Sequence, residues 1–419
     1  MIAARARVDV DVACPVPSAA APGRSEDTMG LGVQVDLADV RWLSSVLEQR
    51  VVDSELDPTG LAKMNKTSAM RWSRVRFADG GTCSLVLKAS VPGDTKAKML
   101  GLAREGIFYE CWPELGGVSS GNLLGSLLPK VYYAAADMDT GAKAILLEDL
   151  SSCVQAGYFF GEGNVNNWGR NLVVEKKGVV MSPSEVTRAA FSVAAKLHAS
   201  HWNNPGLRGN GSLTWLRGSE WLDGKGRDSW EASQASVSRS WSAIKAKLVT
   251  GNSEVTFSPL LLACLDAAVA KISWDAYQAE VATRPWTLTH GDFHPGNFMV
   301  RDPDNFVLID WELVGVGSGP QDLGQFMLSH AEPSVRAQIE RGAVVAYHAE
   351  IVARNPAVAM TLEECWVEYV AGGLGRWLWF VPVLVDMCPS RMGQFFVDQV
   401  EAFMKDHNVT PETVPMPRA

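Results

Sequence analysis

The chain has 419 residues, 47% hydrophobic and 20% charged, the balance of a folded enzyme with room for two lobes or two to three domains. Its formal net charge of −9 argues against nucleic acid or an anionic membrane as the main partner, since both are gripped by basic surfaces. Its 7 cysteines are scattered without a CxxC pair, which speaks against a zinc ribbon or disulfide framework and for reduced thiols in a cytoplasmic setting.

Residues 1–32, dominated by Ala, Pro and Ser, are expected to form a disordered leader. Arg5 and Arg7 hint at organelle targeting, and Asp9 and Asp11 oppose it. From Val33, the stretch "VDLADVRWLSSVLEQRV" sets Leu37, Val40, Leu43 and Leu47 on one helical face. "SAMRWSRVRFADGGTCSLVLKAS" (68–90) alternates, breaks at Asp79-Gly80-Gly81 and alternates again, as a hairpin does. "KAKMLGLAREGIFYECWPEL" (96–115) returns to helical period, with Glu105 on the stripe of Leu102, Tyr109 and Trp112 while Glu110 points to solvent. A carboxylate on a buried stripe needs a cationic partner. "KVYYAAADMDTGAKAILLEDL" (130–150) reads as strand, turn and strand. Residues 33–147 thus form a small lobe of antiparallel sheet plus helix.

A Gly/Asn-rich loop (157–171) then leads to a helix over 184–202, an irregular Trp-rich stretch (203–230), helices to about Tyr277, two short strands, and helices to about residue 406. This larger lobe is taken as 153–408, with a tail at 409–419. His198 and His201 are expected in its core rather than on a metal. "YVAGGLGRWLWFVPVLV" (369–385), interrupted by Arg376 and Pro382, is expected to be a buried helix rather than a membrane span.

The chemistry concentrates in "LTHGDFHPGNFMVRDPDNFVLIDWE" (288–312). A turn at 302–305 would pair Arg301 with Phe306, Phe298 with Ile309, and Asn297 with Asp310. An amide oxygen beside a carboxylate suits Mg²⁺, which takes few protein ligands and completes its shell from substrate phosphates. Asp292, upstream, could accept the proton of an attacking hydroxyl. The spacing of His290, Asp292 and His294 would also fit a zinc triad, but Pro295 and Gly296 break the strand at once. His290 is expected to brace the loop, Asp322 to satisfy a helix start, and Glu312 to be solvated or supporting.

"HGDFHPGN" followed by "LIDWE" resembles the catalytic loop and metal-binding strand of the aminoglycoside phosphotransferase and choline kinase superfamily, relatives of protein kinases. "REGIFYE", "LLEDL" and "LHASHW" are most similar to its CHK-like, ecdysteroid-kinase-like branch. The resemblance spans about residues 35–400. It implies an α+β, bilobal protein-kinase-like fold with a hinge at 148–152. It also implies an ATP- and Mg²⁺-dependent kinase acting on the hydroxyl of a small molecule. Within it, Lys88, held by Glu105, would grip the α/β-phosphates. Main chain near Glu148 and Leu150 would bind adenine, and Asp322 would brace the catalytic loop. The usual glycine-rich phosphate loop is replaced by "KMNKTSAMRW" (63–72), where Thr67 and Ser68 would cap phosphate. Two alternatives follow. A pseudokinase would bind nucleotide without turnover. A protein kinase fits less well, because the twelve residues from Asp310 to Asp322 leave no room for an activation segment.

Overall fold

The computed structural model describes residues 35–57, 69–90, 95–115, 125–161, 163–167, 178–209 and 213–418. The small lobe is a five-stranded antiparallel sheet in the order β1-β2-β3-β5-β4. Its strands are β1 (Val51–Asp57), β2 (Ala69–Phe77), β3 (Thr82–Ser90), β4 (Val131–Asp137) and β5 (Ala142–Glu148). The expected hairpin is β2–β3, paired from Ala69 with Ala89 to Arg76 with Thr82. Its turn is made by Gly80 at φ +87° and by Asp79, whose carboxylate accepts from Gly81 N at 2.9 Å. One face of the sheet, with Val75, Leu85, Leu87 and Leu146, packs on Leu43 of α1 (Val40–Val46). That helix starts later than its apolar spacing suggests, because Asp39 caps it, accepting from Arg41 N and Trp42 N. β1 had no counterpart in the sequence reading.

The helical stretch expected over 96–115 is two helices, α2 (Thr95–Leu100) and α3 (Arg104–Leu115). Gly101, at φ +67°, divides them. α3 lies against β4 so closely that a Cβ on Gly106 would stand 2.5 Å from Ala136 Cβ. Its Phe108 joins the large core rather than the small one, and so carries the small lobe down onto the larger.

The larger lobe is mainly helical: α4 (Pro183–Ser200), α5 (Arg227–Val249), α6 (Pro259–Ala270), α7 (Trp274–Thr283), α8 (Gly319–His330), α9 (Pro333–Arg354), α10 (Leu362–Met387) and α11 (Ser390–Asp406). Short strands sit where it meets the sheet: β6 (Val154–Gln155), β7 (Thr287–Thr289), β8 (Phe298–Asp302), β9 (Asn305–Leu308) and β10 (Gly315–Gly317). α10 is long and apolar enough to cross a membrane by length and composition. Here Tyr369, Leu374, Leu378 and Val381 are fully buried in the core, as expected of a core helix. It crosses α8 at Gly324 and Gly373, where a Cβ on Gly324 would meet Gly373 Cα at 2.4 Å.

Residues 409–418 are no loose tail. Val414 and Met416 are buried, and Lys271 Nζ donates to Val414 O at 2.7 Å. His198 and His201 lie in the core. Cys83, Cys153, Cys264, Cys365 and Cys388 are free.

Candidate active site

Lys88 sits near the end of β3, where the strand is buried and the side chain points under the sheet. Its Nζ lies 2.8 Å from Glu105 on α3, 2.6 Å from Asp310 and 3.0 Å from Glu312. The expected strand–helix ion pair is therefore present, and it reaches across to the other lobe. A second lysine, Lys143 of β5, is fully buried beside it, 2.6 Å from Glu105 and 2.6 Å from Glu312. Three carboxylates thus share two ammonium groups. Burial alone would lower the Lys88 pKa, but Asp310, Glu105 and Glu312 outweigh it and hold the amine well above its ordinary value. Glu312, expected in solvent or support, is a buried member of this cluster. Lys143 was missed because a lysine in "AKAILLE" looks like a strand's solvent-facing position.

The hairpin register differs from expectation by one residue. Phe298 pairs with Leu308, Met299 with Val307 and Val300 with Phe306, and a bulge between Val300 and Asp302 absorbs the slip. Asn297 is therefore opposite Ile309, whose N donates to Asn297 O at 3.0 Å, and not opposite Asp310. Asp310 takes the left-handed conformation (φ +69°, ψ 57°), which turns its carboxylate toward Lys88. The Asn297 amide donates to Asp292 O at 2.9 Å and to Asp292 Oδ2 at 3.2 Å. No described residue donates to Asn297 Oδ1.

Asp292 stands on a tightly held loop. Gly291, at φ +77°, admits no side chain, because a Cβ would fall 2.2 Å from Leu313 O. Its carbonyl accepts from Arg376 Nη2 at 2.6 Å. The loop-bracing role expected for His290 fits its position. It is fully buried, donates from main-chain N to Asp322 Oδ2 at 2.9 Å, and pairs Nε2 with Ile309 O at 3.0 Å. Burial holds its pKa below the imidazole norm against the pull of Asp322 and Asp292, so Nε2–H is the donor to that carbonyl. Asp322 braces the loop as expected but does not cap its helix, lying inside the first turn of α8 with His198 Nε2 at 3.4 Å.

The Asp292 carboxylate also receives Gln325 Nε2 at 3.1 Å, and His294 Nε2 lies 3.5 Å away. Burial would raise its pKa. The charge and hydrogen bond of His294, with His290 and Arg376, more than reverse that and hold it at about 2. His294 stacks on His330 at 5.9 Å and accepts from Gly296 N at 3.0 Å, so the three side chains of the alternative zinc triad do not converge. Gln325 and Arg376 were not singled out, since a helical glutamine or an arginine in an apolar helix gives no spacing signal.

Of the remaining expected positions, the Glu148 side chain ties the two lobes together. Its Oε1 accepts from Lys130 N at 2.6 Å and from Arg301 Nη2 at 2.5 Å. Leu150 O accepts from Cys153 N at 2.9 Å. Thr67 and Ser68 lie outside the described residues.

Residues 182–351 match the model of the phosphotransferase enzyme family, APH. That stretch contains the whole run from His290 to Asp322. The family match therefore covers the stretch that carries the candidate site. The match agrees with the resemblance read from the catalytic-loop motif and does not single out the CHK-like branch. Solved structures similar to this chain include choline kinase LicA from Streptococcus pneumoniae, 15% identical, covering 87% of this chain and 97% of its own, TM-score 0.46. Macrolide 2'-phosphotransferase MphH from Brachybacterium faecium is 16% identical and covers 85% and 96%, TM-score 0.42. A Plasmodium vivax ethanolamine kinase is 8% identical and covers 84% and 82%, TM-score 0.43. No curated protein matches. The fold is α+β, as expected, with an antiparallel sheet in the small lobe and a mainly helical larger lobe.

Proposed function

We propose that the protein transfers the γ-phosphoryl group of ATP to a hydroxyl of a small molecule. The observation that carries this is the small lobe's Lys88 held between Glu105 at 2.8 Å and Asp310 at 2.6 Å, beside a loop that presents Asp292. A lysine so placed can turn from Asp310 to phosphate oxygens while Glu105 keeps its direction.

The donor set also fits Mg²⁺. Asn297 Oδ1 receives no hydrogen bond from a described residue, Asp310 is bonded through one oxygen only, and oxygen atoms of Glu105, Asp310 and Glu312 lie within 4.8 Å of one another. Asn297 and Asp310 would hold the ion, which when bound neutralises charge on the phosphates.

Asp292 aligns the attacking hydroxyl. With a pKa of about 2 it is a weak base, so proton acceptance follows the developing P–O bond rather than preceding it. In the balanced step the acceptor oxygen bonds to the γ-phosphorus, the bridge to the β-phosphate breaks, ADP leaves with those electrons, and the hydroxyl proton goes to Asp292.

The test is ATP consumption against a panel of alcohols, paired with thermal unfolding in Mg²⁺·ATP. Wild type gains about 2.7 kcal/mol at a nucleotide concentration of 100 Kd. Asp292→Ala keeps that gain and loses turnover by about 10²–10⁴-fold. Stabilisation by nucleotide with no turnover of any alcohol would point to a pseudokinase instead.

A further inference from the structure

Three arginines gather beside the loop that carries Asp292, none of them in an ion pair with a described carboxylate. Arg104, at the start of α3, donates from Nε to Trp215 O at 2.8 Å and from Nη1 to Gly101 O at 3.2 Å and Glu312 O at 3.5 Å. Arg217 is tied by its main chain to Val314 O at 3.2 Å and donates from Nη2 to Ser233 Oγ at 2.9 Å. Arg376, 2% exposed, donates to Gly291 O and Arg418 O, and its buried Nε has no acceptor. Arg217 and Arg376 lie over the same indole, Trp379, at 5.6 and 5.8 Å from its centroid.

Among the described residues none of the three has an Asp or Glu oxygen within ion-pair distance. The same molecule treats another buried guanidinium differently: Arg336, 1% exposed, holds Glu340 at 3.1 Å and Asp406 at 2.5 Å. Burial, and then the charges of Arg376 and Arg104, push the Arg217 guanidinium down to about 9. Like charges gathered this way, Arg376 buried and Arg104 and Arg217 half-buried, with Asp322 and Asp292 acting on Arg376 from beyond ion-pair distance, are costly unless an anion joins them. Guanidinium groups are the usual partners of carboxylate and phosphate oxygens.

We propose that Arg217, flanked by Arg104 and Arg376, receives an oxyanion carried by the acceptor, so that the alcohol phosphorylated here bears a carboxylate or a phosphate. The position suits this: Arg376 grips the carbonyl of Gly291, the residue before Asp292, so an oxyanion at the arginines leaves a neighbouring hydroxyl near the Asp292 carboxylate. Arg217 is then a specificity-determining residue. The inference rests on the phosphotransferase reading for the hydroxyl, but not for the anion.

Matched probes test it: gluconate against glucitol, and glucose 6-phosphate against glucose, with choline as a cation, each titrated with and without Mg²⁺·AMP-PNP. The oxyanion member of at least one pair is expected to bind tenfold or more tightly than its neutral partner, and the pair that does so tells carboxylate from phosphate. Arg217→Met should cut that binding by about 10–100-fold, the range for hydrogen bonds to a charged group. Arg217→Lys should restore part of it, and neither variant should change stabilisation by Mg²⁺·AMP-PNP. Equal or weaker binding of both oxyanions, preference for choline, or an unchanged preference in Arg217→Met would overturn the proposal; if Arg217→Met fails to fold, Arg217→Lys is read alone, and an unchanged preference there does the same. Loss of nucleotide stabilisation in wild type would instead sink the phosphotransferase reading, and the anion titrations would still stand.

Discussion

Lys143 bears more of the site than its sequence suggests. It contacts both Glu105 and Glu312, so each acid keeps an ammonium partner when Lys88 turns from Asp310 to a phosphate. Lys143→Met would leave Lys88 alone to answer three carboxylates, and chemical denaturation should show a loss of about 3–5 kcal/mol. Adding Glu312→Gln to that variant should recover part of the loss, because one uncompensated charge is removed. The Asp292 carboxylate carries a different signature. Its pKa falls from the ordinary 3.8 to about 2 in the folded state, so it favours folding above pH 4 and loses that contribution as pH drops from about 4 toward 2. Asp292→Asn should therefore show a shallower fall in stability across that window than wild type, measured by urea melts at successive pH values.

At the level of elements, the crossing of α8 and α10 sets the loop, since Asp322 comes from one helix and Arg376 from the other. Gly324 and Gly373 let the two backbones touch. Gly373→Val should force them apart at a cost of about 1–3 kcal/mol. It should also reduce kcat more than nucleotide affinity, because Lys88 is anchored elsewhere. These contacts explain what could be read in advance. The β2–β3 hairpin and the Lys88–Glu105 pair were legible because turn chemistry and helical period are local. The β8–β9 register was not: a bulge at Arg301 is invisible to a constant-sum pairing, and the left-handed Asp310 obeys no period. Glu312 and Lys143 were misread or missed because each looks like a surface charge until a partner more than a hundred residues away is known.

Across the whole molecule, the lobes meet through charge and through one stacked pair. Phe108 of α3 lies on Trp311 with centroids 4.1 Å apart and planes 15° from parallel, both rings buried. Phe108→Ala should cost about 3–5 kcal/mol and weaken Mg²⁺·ATP binding together, since α3 also carries Glu105. Thermal unfolding with and without nucleotide would separate the two effects. The same stack has a bearing on control. Rotating α3 outward would uncover two aromatic faces and pull an acid from two ammonium groups in one motion. Such a hinge offers no inexpensive off position, so output would track the supply of nucleotide and alcohol rather than a swinging helix.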